Sequence, residues 1–165
     1  MKSRDIPSRF CSSFKAMPQS LAQIYVHLVF STKDRMSFIS PEVQGAMYAY
    51  LAGTLNAIDC PALKVGGMPD HVHILFRLSK NMAVTDVVKA AKVESSKWMK
   101  ERGGVKEFAW QSGYGAFSIG ASQVETVREY ISSQDEHHRH RTFQEEFRKL
   151  LERYQISYDE AWVWG

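Results

Sequence analysis

Between Asp70 and Leu78 the chain alternates without a break, and that stretch limits the possible folds more than any other. Val72, Ile74, Phe76 and Leu78 fall on one face of the strand it predicts, while His71, His73, Leu75 and Arg77 fall on the other. The first set is core. The second set puts two imidazoles side by side, roughly 6–7 Å apart at the usual rise of a strand. A second alternating run, Ile24–Ser31, places Ile24, Val26, Leu28 and Phe30 opposite Tyr25, His27, Val29 and Ser31.

Helical periodicity separates these runs. Ser40-Pro41 opens a helix whose apolar positions Val43, Met47, Tyr50, Leu51, Leu55 and Ile58 recur at three and four. Ala62–Val65 predicts a further strand, joined to the histidine strand by Gly66-Gly67-Met68-Pro69-Asp70. A helix follows from about Val84 to Arg102, stopped by Gly103-Gly104, and Gly113–Ile119 predicts a fourth strand. Ser122 with Glu125, and Thr142 with Glu145, have the spacing of capping boxes before two last helices. The order βαββαβ plus two helices predicts an α+β, ferredoxin-like antiparallel sheet with helices on one face, additional C-terminal helices, and the histidine face open.

Composition sets the bounds. At 165 residues, 44% hydrophobic and 24% charged, the chain suits one soluble domain, and no apolar run reaches the ~20 residues that span a bilayer. We expect residues 1–16, basic and without periodicity, to be a disordered extension, and 17–165 to be a single domain. A net charge of +3 leans only mildly toward an anionic partner. Cys11 and Cys60 have no metal-type spacing, which argues against a disulfide framework and for a cytoplasmic protein.

Two histidines are too few to define a metal site. The helix after Ser122 offers more: Tyr130 and Gln134, four apart, share a face beside the stripe Val124, Val127 and Ile131. Docked by that stripe, it would bring a phenol and an amide to the histidine pair. His27 competes with Gln134 as third ligand, being on the same face of a neighbouring strand. His137, His138 and His140 read better as a solvated helix end. Tyr114, between Gly113 and Gly115, suits packing or base stacking, with the glycines marking a bulge or a close backbone approach.

Together, Pro69-Asp70-His71-Val72-His73-Ile74, Trp110-Gln111-Ser112-Gly113-Tyr114-Gly115-Ala116-Phe117 and Arg128-Glu129-Tyr130-Ile131-Ser132-Ser133-Gln134 resemble the single-tyrosine HUH transposases of the IS-two-hundred group, whose relatives include REP-associated tyrosine transposases. The resemblance runs from about Met17 to Trp164. It implies a divalent metal, magnesium or manganese, held by His71, His73 and Gln134. It implies attack by Tyr130 on single-stranded DNA carrying hairpin ends, through a 5′-phosphotyrosine, and a homodimer whose tyrosine helix completes the partner's site. Two imidazoles and an amide are softer donors than magnesium prefers and lean toward manganese. Lys33, Arg35, Lys89, Lys92 and Lys100 are candidate DNA contacts, although a lysine stripe is more often a soluble face. The competing readings are a domesticated hairpin-cutting relative, a non-catalytic RNA- or single-strand-binding module, and a metal hydrolase using water.

Overall fold

The structure, a computed structural model, describes residues 20–134, 136 and 142–164. Four strands, β1 (Ile24–Ser31), β2 (Ala62–Met68), β3 (His71–Leu78) and β4 (Gly115–Ile119), form an antiparallel sheet in the order β2-β3-β1-β4. Helices α1 (Pro41–Ala57) and α2 (Val84–Glu101) cover one face, and α3 (Val124–Ser132) and α4 (Phe143–Arg153) belong to the other. The α+β, ferredoxin-like expectation holds, and β1 does lie beside β3, pairing Ser31 with His71 and Val29 with His73.

Alternation decides what each face buries. Val26, Leu28 and Phe30 of β1 join Val72, Ile74 and Phe76 of β3 in a core closed by Met47, Leu51 and Leu55 of α1 and Val87, Val88 and Ala91 of α2. The predicted open face is corrected. His27, His71 and His73 are each at most 2% exposed. Val29 and Phe117 pack with Phe143, Phe147, Leu150 and Leu151 of α4, and Leu75 and Ile119 pack with Ile131 of α3. The amphipathic stripes of two extra helices need burial, and the second face supplies it, giving three layers.

Local expectations fare unevenly. Thr142 and Glu145 form a complete capping box. Ser122 and Glu125 do not: a 3-10 turn, Ala121–Gln123, comes first, and Gln123 caps α3 without a side-chain bond. Strand β2 runs three residues beyond Val65, so the glycine pair lies in the sheet, and β4 begins at Gly115 rather than Gly113. Residues 1–16 and His137, His138 and His140 lie outside the described residues.

Two glycines let the upper helices approach. A Cβ on Gly66 would stand 2.7 Å from Ile131 Cγ2 and 2.8 Å from the Ile131 carbonyl oxygen, and one on Gly115 would stand 2.7 Å from Phe147 Cε2. The predicted close approach at Gly115 is thus α4. Gly66→Ala should displace α3 because a backbone carbonyl cannot turn aside as a flexible side chain can. We expect ~1–3 kcal/mol of destabilisation from overpacking, read as a lowered Tm.

Candidate active site

Strand β3 carries the histidines, and a separate bond orients each ring. His71 Nδ1 lies 2.7 Å from Asp70 Oδ1, and His73 Nδ1 lies 2.9 Å from His27 Nε2. Both Nε2 atoms are thereby left on the same side. They face Glu146 Oε2 of α4 at 3.5 Å and 3.6 Å. The other oxygen of that carboxylate accepts a bond from the Tyr130 hydroxyl and one of 3.0 Å from Gln134 Nε2. Phe143 stacks on His71 at 4.5 Å between ring centroids, closing the pocket from the α4 side.

The structure therefore brings together His71, His73, Tyr130 and Gln134, as the sequence suggested, and adds Glu146. A signal for it existed. Glu146 falls three residues after Phe143, one before Phe147 and four before Leu150, so a carboxylate interrupts the apolar stripe of an amphipathic helix. His27 is spent on orienting His73, the usual service of an outer partner to a ligand imidazole.

Electrostatics separates the three histidines. Burial pushes His27 well below the usual imidazole range, and repulsion from His73 adds to this against an opposing pull from Glu146. For His71 burial also lowers the pKa, but bonds to Asp70 and Glu146 outweigh it, and the net shift is upward.

The pocket suits a divalent cation. An ion bound at 2.0–2.2 Å holds neighbouring donors about 3 to 3.6 Å apart. One ring nitrogen each of His71 and His73 and a Glu146 carboxylate oxygen lie within 4.8 Å of one another. Gln134 Oε1 is buried and makes no hydrogen bond among the described residues. Which end of that amide faces inward follows from its hydrogen bonds, and exchanging its ends would turn either donor or acceptor to the carboxylate.

The lysines and arginine proposed from sequence do not gather here. Lys89 and Lys100 are exposed on α2, beyond the opposite face of the sheet, and Lys33 and Arg35 follow β1 in a 3-10 turn, Lys33–Arg35. Lys92 is committed within the fold: its ammonium donates to the carbonyls of Gln111 (2.8 Å), Ser112 (3.0 Å) and Gly113 (2.8 Å), while burial lowers its pKa to about 8. Lys92→Met should cost ~1–3 kcal/mol, the range for lost bonds to a charged donor. Faster amide exchange at residues 111–115 would accompany the lower Tm, and an unchanged Tm would return Lys92 to the candidate DNA contacts. Tyr114 is 40% exposed just before β4.

Solved chains with this fold include a Deinococcus radiodurans protein described as a candidate transposase, with a TM-score of 0.57 and 21% identity, covering 73% of this chain and 97% of that one. They also include a REP-associated tyrosine transposase bound to a REP hairpin, with a TM-score of 0.52 and 13% identity, covering 74% of each chain. These likenesses are of fold. In sequence, ISDra2 transposase TnpA of Deinococcus radiodurans is 28% identical over 123 residues, 68% of this chain and 84% of that protein. The family model for IS200-like transposases matches residues 20–134, and the chain belongs to that family of DNA-processing proteins. The match ends at Gln134, before α4 and Glu146. Among the described residues no helix is long and apolar enough to cross a membrane.

Proposed function

We propose that this protein cuts and rejoins single-stranded DNA with hairpin ends, using Tyr130 as nucleophile and a magnesium or manganese ion held by His71, His73 and the Gln134–Glu146 pair. One observation carries the reading: the Tyr130 hydroxyl and both histidine Nε2 atoms converge on the single carboxylate of Glu146. A phenol has an ordinary pKa of about 10 and is a weak nucleophile at neutral pH. The metal, when bound, supplies charge that polarises the scissile phosphate and stabilises the departing oxygen.

The phenol oxygen forms a bond to phosphorus as the bond from phosphorus to the 3′-oxygen breaks. The phenolic proton passes to Glu146, and the released 3′-oxygen takes a proton from water to become a hydroxyl. Tyr130 keeps the 5′-phosphate. Rejoining reverses the step with a new 3′-hydroxyl, so one phosphoester replaces another and no nucleotide is consumed. The sheet face is sealed by α3 and α4, which removes the open stacking surface that a non-catalytic RNA-binding module needs.

We also propose a homodimer, working inside the cell. Within one chain Tyr130 already lies 5.9 Å from His73, measured between ring centroids. A dimer would exchange α3 between equivalent seats, with Gly120 as the hinge. Mixing Tyr130→Phe with His73→Ala protein distinguishes the arrangements, since recovered activity requires a site shared between chains.

The function is tested by incubating the protein with hairpin-ended single-stranded DNA and manganese. The expected product is a covalent complex that survives denaturation. Cleavage without such a complex would favour water as nucleophile, and binding without cleavage would remove the enzymatic reading.

A further inference from the structure

A second feature of α4 lies beside the carboxylate. Glu146, Lys149 and Arg153 follow one another at three and four residues and so share one helical face. With Glu146 turned inward, the other two border a cleft of about 270 Å³ between α3 and α4, lined also by His27, Tyr130 and Tyr154. Tyr130, the reacting group of the proposed site, is part of its lining, and among the described residues Glu146 is its only acidic lining residue. Both cations are exposed, and neither is paired with a carboxylate among the described residues. Arg148, one position away, is differently placed: it is bound to Glu160 at 2.6 Å and lies over the Trp164 ring.

We infer that this cleft seats the backbone of single-stranded DNA, with Lys149 and Arg153 each neutralising a phosphate next to the one that meets Tyr130. The assignment rests on the proposed tyrosine chemistry for its orientation. The physical case is the coincidence of a concave cleft, two exposed cations with no carboxylate partner among the described residues, and a phenol in the same lining. The carboxylate alone would repel a phosphodiester. Two positive charges on the same helix offset that repulsion at the mouth, while the proposed metal offsets it at the floor. Lys149 and Arg153 thus act as positioning residues. They lie on α4, beyond the residues that the family model matches.

Binding separates this inference from the chemistry. Affinity for a mixed-sequence 12-nucleotide single strand is measured against salt, in chelator, for the wild type, for Lys149→Gln/Arg153→Gln, and for Lys80→Gln/Lys97→Gln. The last pair loses the same charge from exposed positions away from the cleft. Each single-strand phosphate contact contributes about −0.7 to the slope of log affinity against log salt. The cleft variant should therefore flatten the slope by about 1.4, roughly a 25-fold loss at 0.1 M salt, with Tm unchanged. Neutral methylphosphonates placed singly along the strand should weaken the wild type at two positions and leave the cleft variant indifferent there. An unchanged slope, or an equal fall in the control pair, overturns the inference. A flattened slope with no covalent complex in the wild type keeps the seat and removes the tyrosine chemistry; a covalent complex with an unchanged slope does the reverse.

Discussion

Tyr130→Phe should form no covalent complex with DNA, and cleavage should fall by on the order of 10⁵-fold, the scale on which loss of a nucleophile is felt. The substitution is clean because the ring remains. It still packs in the cluster of Leu75, Ile119 and Ile131 and meets His73 edge-on. Only the hydroxyl goes, and with it one bond to Glu146, whose same oxygen keeps the amide of Gln134. Stability should therefore move by only about 1 kcal/mol, the net worth of one hydrogen bond. A variant that folds, binds DNA with wild-type affinity and makes no adduct identifies the nucleophile. Cleavage persisting in that variant would transfer the role to water.

The second large effect concerns the cation. Manganese at about one hundred times its dissociation constant should stabilise the folded wild type by ~2.7 kcal/mol, as any ligand confined to the native state does. His71→Ala and His73→Ala should each abolish that gain. Glu146→Gln keeps the shape and some of the hydrogen bonding but loses the charge, and manganese affinity should fall on the order of 100-fold, the upper end for changes beside a metal. Calorimetry reads each result without any turnover. The sign with pH follows from His71: its raised pKa means that protons compete for Nε2 already above the usual imidazole range, so affinity declines as pH falls through that value. A Glu146→Gln protein that binds manganese like the wild type would leave Gln134 as the third ligand and Glu146 as the acceptor of the phenolic proton.

Much of this was legible in the sequence, and the remainder has definite physical causes. Strict alternation over Ile24–Ser31 and His71–Leu78 gave strand limits that the structure reproduces, because a period of two survives only where each face has its own environment. That His71 and His73 share a strand face, and Tyr130 and Gln134 a helix face, was likewise readable from spacing; that the two faces meet was implied by the resemblance. What covers the histidine face was not readable. That depends on where two amphipathic helices dock, through contacts such as Leu75 with Ile131 and His71 with Phe143, more than fifty positions apart. Glu146 is hard to single out for a related reason: it stands next to Glu145, which caps α4, in a first turn where acidic residues are ordinary. The Ser122 capping box failed because spacing alone cannot tell a helix that begins at once from one preceded by a 3-10 turn.

Gly66 pairs with His73 across the β2–β3 ladder, and it is the residue over which Ile131 of α3 comes to rest. The helix that bears the phenol is therefore gauged against the very rung that bears the imidazole. The 3-10 turn before α3 can adjust without changing that spacing, because it is measured through one hydrogen-bonded pair of residues. Nucleophile and ligand travel together with the pleat, and their separation is inherited from strand pairing rather than from any connecting segment.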